Sequence, residues 1–195
     1  MLATSPTTRA SAMAIAGGIL VFLSVAAELV YPVQDADGTS REPAIHALYL
    51  AVWVVGIALI AAMALGLRAR FAQGEGSRKG TVGCWLVVAG AAAFAVFGLG
   101  QLFGILFGVD VEALFVLFLL AFPLLVVGFV LIGLAMRRAG GWGWILAFVA
   151  AAGFLLALLA EMDPWHDIGF LTGALAVAAF GCALNATGPR TMPGS

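Results

Sequence analysis

The sequence contains little charge. Only 10% of its 195 residues are Asp, Glu, Lys or Arg, whereas a soluble globular domain carries about 25%. Lys and Arg together number nine, too few to form the basic surface that follows a nucleic-acid backbone. The composition therefore argues against a water-soluble fold and against a nucleic-acid partner.

Catalytic signatures are missing as well. No GxSxG segment is present to place a nucleophilic serine on a sharp turn, and no HExxH segment is present to hold zinc on a helix. The chain has only two histidines and two cysteines. These absences favour a function that is not enzymatic, although they leave the question of an enzyme open.

Long apolar runs dominate what is present. The chain is 64% hydrophobic with a mean hydropathy of +1.13, and a bilayer core about 30 Å thick is crossed by about 20 apolar residues. The sequence predicts an all-α, multi-pass membrane protein with six transmembrane helices. The predicted spans are 12–31, 44–67, 81–107, 113–136, 142–160 and 165–185.

The charges are divided between the two ends of these runs. Basic residues mark cytoplasmic loops, so the pattern predicts that both termini are cytoplasmic and that the protein lies in the plasma or inner membrane. Residues 1–11 and 186–195 are then cytoplasmic tails around a transmembrane domain of residues 12–185. The basic residues on the predicted inner side are Arg9, Arg68, Arg70, Arg78, Lys79, Arg137, Arg138 and Arg190, with Arg41 outside.

Both cysteines, Cys84 and Cys182, fall near the predicted cytoplasmic ends of their helices. A disulfide is not expected in that reducing compartment. We interpret both as small apolar helix residues.

The three predicted outer loops are acidic, and two of the hairpins that they close resemble each other. The first hairpin contains AELVYP and then EPAIHALYL; the third contains AEMDPWHDIGF. Each has Ala-Glu near the end of the outgoing helix, then proline, then histidine early in the returning helix. The six helices are therefore interpreted as three helical hairpins with a weak repeat, from which the middle hairpin departs because it has no histidine. Transporters share such weak repeats with simple duplicated bundles.

Several ionisable side chains lie at the predicted outer ends of the helices. A carboxylate inside an apolar run is costly and is a functional candidate by default. If the helices pack around one axis, these side chains converge in an outward-facing pocket. Such a pocket would bind a cation, a proton, or a small or lipid-like ligand. The protein would then be a carrier, a sensor or a subunit of a membrane complex. The predicted ligand-binding residues are Glu28, His46, Gln101, Glu161, His166 and Asp167.

Two other functions stay open at this stage. The first is a redox protein that holds a metal or a haem. A divalent metal could be bound by His46, His166, Glu28 and Glu161, since mixed His and carboxylate ligands suit zinc, manganese or iron. A b-type haem could instead be bound between the two histidines. A structural subunit of a larger membrane complex is the other alternative.

Glycines and one proline suggest how the helices pack. Small residues at every fourth position let helices approach closely, which predicts packing strips at Gly100, Gly104 and Gly108 and at Gly169 and Gly173. We favour contacts within the chain, with a homodimer as the alternative. Pro123, inside the fourth span, interrupts the hydrogen-bond ladder and predicts a hinge. The inner half of the helices carries almost no polar residues, which argues against a continuous polar channel.

Overall fold

The computed structural model describes residues 6–33, 41–72, 78–137, 142–159 and 165–186. Within these ranges all regular structure is helical, so the all-α prediction is confirmed for them. A short 3₁₀ helix, Glu112–Leu114, precedes the fourth long helix. The long helices are α1 (Pro6–Val30), α2 (Pro43–Arg70), α3 (Arg78–Phe107), α4 (Phe115–Arg137), α5 (Gly143–Leu159) and α6 (Trp165–Ala186).

Five helices are long and apolar enough to cross a membrane: α1, α2, α3, α4 with its preceding 3₁₀ turn, and α6. α5 has 17 residues, about 26 Å at about 1.5 Å per residue, which is at the short limit for a bilayer core. The chain thus has the helices of a multi-pass membrane protein. The exact number of spans and the sides of the membrane stay predictions.

The sequence explains where several helices begin and end. Pro43 stands in the first turn of α2, where its missing N–H costs nothing. α1 begins at Pro6, earlier than the apolar run at residue 12, because a helix outside lipid needs no apolar side chains. α3 ends at Phe107, and the next residue, Gly108, has a φ of +67°, a conformation that favours glycine. The Gly108 N–H donates to the carbonyl of Gly104 at 2.8 Å.

The helices are arranged in chain order. Each packs on the helix before and after it, and α6 packs on α1, which closes a ring. The Ser11 hydroxyl of α1 donates to the Gly181 carbonyl of α6 at 2.7 Å. This bond satisfies a buried hydroxyl group and fixes the α1–α6 contact.

A pair of glycines brings the two helices of each hairpin together. A Cβ built on either glycine would lie 2.8–3.0 Å from the carbonyl oxygen of the other. Such a distance is closer than real Cβ atoms approach, so the backbones touch only because a side chain is missing on both helices. The pairs are Gly17 with Gly56, Gly83 with Gly128, and Gly153 with Gly169.

The two predicted packing strips have different surroundings. Gly169 and Gly173 face α5, against Ala157 and Phe154. The strip on α3 faces the turn that follows it, because Gly100 lies against Leu114 and Gly104 against Val109 and Val111. Gly108 has no atom within 4 Å of an added Cβ, so it caps the helix and packs against nothing.

The ring of helices is filled with aromatic side chains. Phe94 is fully buried, and its ring centroid lies 5.0–5.7 Å from those of four other rings, the spacing of attractive aromatic pairs. The four rings belong to Trp53, Phe118, Phe122 and Phe170. Helices α2, α3, α4 and α6 therefore meet at one point around Phe94.

The described charges lie at opposite ends of the ring. The basic end carries Arg9, Arg68, Arg70, Arg78, Lys79 and Arg137. The acidic end carries Glu28, Glu42, Asp110, Glu112 and Asp167, and Arg41 is the one described cation there. At the basic end, Arg68 lies 4.7 Å from the ring centre of Trp85, and Arg137 lies 5.7 Å from that of Trp144. Arg and Trp side chains of this kind are typical of membrane interfaces.

Pro123 does not break α4, which runs through it without interruption. The missing N–H leaves the Leu119 carbonyl without its helical donor. The Pro123 side chain faces away from the core. The hinge at this position stays a prediction.

Tyr31 and Glu42 connect the ends of α1 and α2, since the Tyr31 hydroxyl donates to the Glu42 carboxylate. This hydrogen bond and the nearby negative charge raise the pKa of Tyr31 above its ordinary 10.0. The contact therefore stabilises the fold below pH 10 and is lost as the pH rises through the raised pKa. We expect tyrosinate absorption to appear at a higher pH in the wild type than in Glu42→Gln. Tyr31→Phe, which leaves only Tyr49, assigns the signal; equal titrations of wild type and Glu42→Gln would refute the contact.

Candidate functional site

A cavity of about 150 Å³ lies near the acidic end of the ring. Five of the six helices contribute to its wall, and α5 is the exception. Its lining residues are Ser24, Val25, Glu28, Tyr49, Leu50, Trp53, Phe97, Phe118, His166, Asp167 and Phe170.

Helical spacing explains why these residues line one cavity. α1, α2 and α6 each contribute three residues at positions i, i+1 and i+4, which lie on one face of a helix. The Ser24 hydroxyl of α1 donates to the Tyr49 carbonyl of α2 at 3.0 Å. This bond fixes the position of α1 relative to α2, the helices that form two walls of the cavity.

His166 is held in one orientation. Its Nδ1 lies 2.7 Å from the carbonyl oxygen of Ala157 in α5. A carbonyl oxygen only accepts, so Nδ1 carries the proton and donates it. In the neutral ring Nε2 is therefore the atom with the lone pair, and it is available as an acceptor. The rings of Phe118, Phe122 and Phe170 surround the imidazole, with centroids 5.2–6.1 Å from it.

Two carboxylates contribute to the wall. Glu28 comes from the last turns of α1 and Asp167 from the first turn of α6. The positive end of the α6 dipole favours a negative charge at Asp167. None of the described lining residues is Lys or Arg. The cavity is therefore suited to a positively charged or hydrogen-bond-donating occupant.

Aromatic rings close the cavity toward the basic end. Trp53, Phe118 and Phe170 line it and also pack on Phe94, which lies further toward that end. Among the described residues the buried polar side chains are Ser11, Ser24 and His46. The hydroxyl groups of both serines donate to backbone carbonyls. No polar path leads from the cavity to the basic end through the part of the chain that the structure describes.

The structure brings together three of the six predicted site residues. Glu28, His166 and Asp167 line the cavity. His46 is buried about one turn closer to the acidic end than Tyr49, and it does not line the cavity. Gln101 is half-buried one turn beyond Phe97 on α3 and is also outside the lining. Glu161 lies outside the described residues.

The predicted metal and haem sites receive little support from this geometry. No three His, Cys, Asp or Glu side chains are grouped as metal ligands in the described ranges. The cavity beside His166, about 150 Å³, is about half the smallest usual pocket for a cofactor or drug-sized ligand, about 300 Å³. It suits a small solute better than a macrocycle or a lipid chain.

The aromatic part of the wall was not among the predicted site residues. Tryptophans of membrane proteins usually lie at the membrane interfaces, but Trp53 is only 7% exposed and packs on Phe94 and Phe170. Its position about three turns inside α2 was the available signal, because interfacial tryptophans lie nearer to helix ends. Trp85, Trp142 and Trp165 are exposed at helix ends, as expected for such residues.

Comparison with known protein families, with curated proteins and with solved structures finds no match to this chain. The functional argument therefore depends on the cavity alone.

Proposed function

We propose that this chain is a multi-pass membrane protein that binds a small cation in the cavity at its acidic end. The observation that carries the proposal is the presence of Glu28 and Asp167 in the wall of one small cavity, with no Lys or Arg among the described lining residues. Both carboxylates are half-buried, and opposite charges attract each other more strongly in a partly apolar site than in water. A cation in the cavity would be attracted by both carboxylates.

The type of binding follows from the shape of the cavity. Aromatic rings close it toward the basic end around Phe94, so a ligand enters and leaves on the acidic side. The charge distribution predicts that this side faces outward and that both termini face the cytoplasm. The proposed function is therefore that of a binding protein whose cavity faces outward. Such a protein could be a carrier in its outward-facing conformation, a sensor, or the ligand-binding subunit of a complex.

The hairpins support a carrier within this proposal. A contact between two glycines occurs in each of the three hairpins, and it supports a repeated hairpin as part of this proposal. Repeated helical units allow one part of a transporter to move against the rest. A carrier would need to move the rings around Phe94 to open the other side.

Thermal unfolding in lipid nanodiscs tests cation binding. Chloride salts of sodium, potassium, ammonium, calcium and tetramethylammonium are compared at constant ionic strength. A cation present at 100 times its Kd stabilises a protein by about 2.7 kcal/mol, which is about 5–10 °C in Tm for a chain of this size. We expect at least one cation to raise the Tm of the wild type and not that of the Glu28→Gln/Asp167→Asn variant.

The matched control replaces two carboxylates that lie at the acidic end of the ring but do not line the cavity. Asp110 and Glu112 are exposed, so Asp110→Asn/Glu112→Gln keeps the full shift if the site is the cavity. The proposal is wrong if no cation shifts the wild type, or if the two double variants lose the shift equally.

A further inference from the structure

We infer that the cation is a small alkylammonium ion and not an inorganic ion. This inference rests on the proposed function and specifies the ligand class of the same cavity. It is carried by the aromatic residues of the wall, which the argument from the two carboxylates does not use.

Aromatic side chains are five of the eleven lining residues. They come from four of the five helices that line the cavity, so the aromatic surface is not confined to one helix. Leu50 and Val25 add further apolar surface. The rings are Tyr49 and Trp53 of α2, Phe97 of α3, Phe118 of α4 and Phe170 of α6.

Such a wall favours an organic cation for two physical reasons. The negative faces of aromatic rings attract a cation, and recognition of alkylated ammonium groups by aromatic cages is a known use of this attraction. A hard inorganic ion instead requires most of its hydration shell to be replaced by oxygen ligands. Among the described lining residues the carboxylate oxygens belong to Glu28 and Asp167, whereas the rings and aliphatic side chains are well suited to contact methyl groups.

The size of the cavity indicates how much of a ligand it can enclose. A cavity of about 150 Å³ matches one in another protein that holds a benzene molecule. A four-carbon ammonium ion such as tetramethylammonium is of similar size. Larger ions with long alkyl chains would require the rings to move.

His166 extends the range of ligands within this class. Because Nδ1 donates to Ala157, Nε2 can accept a hydrogen bond from a ligand N–H group. Together with the two carboxylates, this atom would accommodate methylammonium and dimethylammonium, whereas tetramethylammonium depends on the rings and on charge alone. Tetramethylammonium is therefore the probe that isolates the aromatic contribution.

Equilibrium binding of radiolabelled tetramethylammonium to the protein in nanodiscs is the direct test. We expect saturable binding that tert-butanol, a neutral molecule of similar shape, does not displace. Cation–π contacts in a desolvated site contribute up to about 2 kcal/mol each. Phe118→Leu and Phe97→Leu are therefore each expected to raise the Kd about tenfold or more, and Glu28→Gln/Asp167→Asn to abolish measurable binding.

Phe103→Leu is the matched control, because Phe103 is on the same helix as Phe97 but is 56% exposed and outside the cavity. Its Kd should equal that of the wild type. Phe97 is half-buried and contacts only Phe115 and Phe118 among the described rings. Phe97→Leu therefore keeps the test available if Phe118→Leu does not fold.

The outcomes separate this inference from the proposed function. Stabilisation by sodium, potassium or calcium through Glu28 and Asp167, without tetramethylammonium binding, overturns the inference and leaves cation binding intact. Tetramethylammonium binding that the ring variants do not weaken also overturns it. If no cation binds in a carboxylate-dependent manner, both proposals fail.

Discussion

Gly153→Leu is expected to prevent the formation of the folded bundle. A Cβ on Gly153 would already lie 2.8 Å from the carbonyl oxygen of Gly169 and even closer to the backbone nitrogen of Gly173. Backbone atoms of α6 cannot move aside without separating the two helices. Extra methylenes in a packed core typically cost about 1–3 kcal/mol when the neighbouring side chains can shift. Here rigid backbone would have to move, so we expect a larger cost, one that is a large fraction of the total stability of a typical domain, about 5–15 kcal/mol.

The yield of monodisperse protein after detergent extraction measures this effect. Ala152→Leu is the matched control, since residue 152 is on the same helix and exposed, so the larger side chain should not disturb the fold. Gly173→Ala should be intermediate, because the atoms nearest to its Cβ belong to the Phe154 ring, at 3.2–3.3 Å, and a ring can shift by a few tenths of an ångström. Wild-type yield and Tm for Gly153→Leu would show that α5 and α6 are not packed in this way.

The helices themselves could be predicted closely from sequence. The predicted returning span 44–67 became Pro43–Arg70, and the predicted span 81–107 became Arg78–Phe107. This agreement has a simple cause: the bilayer sets the length of an apolar run, and proline, glycine and charge mark its ends. Observed helices extend beyond the apolar run where, as in Arg78–Phe107, polar residues continue the hydrogen-bond ladder.

The helix contacts were harder to predict. Gly169 and Gly173 were identified as a packing strip, but the partner glycine at 153 and the pairs in the other two hairpins were not. The reason is that a membrane helix is apolar on all sides, so hydrophobic periodicity does not distinguish the face toward lipid from the face toward the protein. Many of the 25 glycines look alike in sequence, and only the fold shows which ones face another backbone.

The uniform apolar character of the helices also explains why only part of the candidate site could be predicted from sequence. Glu28, His166 and Asp167 stand out in an apolar chain because ionisable groups are costly in lipid, and sequence was sufficient to identify them. Phe97, Phe118 and Phe170 do not stand out among 14 phenylalanines. Phe107 is 68% exposed and Phe94 is fully buried, although nothing in their local sequence distinguishes them. The charged half of the cavity was therefore predictable and the aromatic half was not.

The aromatic half also determines how the cavity can work. Glu28 and Asp167 would attract a cation wherever they were placed, but among the described residues it is the rings around Phe94 that lie between the cavity and the basic end. Binding and closure therefore share residues: Trp53, Phe118 and Phe170 contact both the cavity and Phe94. A ligand that pushes on these rings would act on the closure directly, and this coupling is what a carrier or a sensor requires.

Phe94→Ala is expected to destabilise the protein by about 2–4 kcal/mol. Truncation of a buried Phe in a soluble core costs about 3–5 kcal/mol, of which part is lost transfer from water and part is the cavity left behind. In a membrane protein the separated helices stay in lipid, so the transfer part is small and the loss of packing dominates. The Phe94 ring contacts four aromatic rings, so that loss is large. Equilibrium unfolding in mixed detergent micelles measures it.

Phe103→Ala provides the comparison on the same helix, because Phe103 is 56% exposed and stacks only on Phe107 among the described rings. Its ring exchanges protein contacts for lipid contacts at little cost, and we expect a change within about 0.5 kcal/mol. The difference between the two variants isolates the contribution of the central aromatic cluster. If Phe94→Ala is as stable as Phe103→Ala, the rings around Phe94 do not hold the centre of the bundle together. A cavity closed toward the basic end would then lose its physical basis, because the same contacts form that closure.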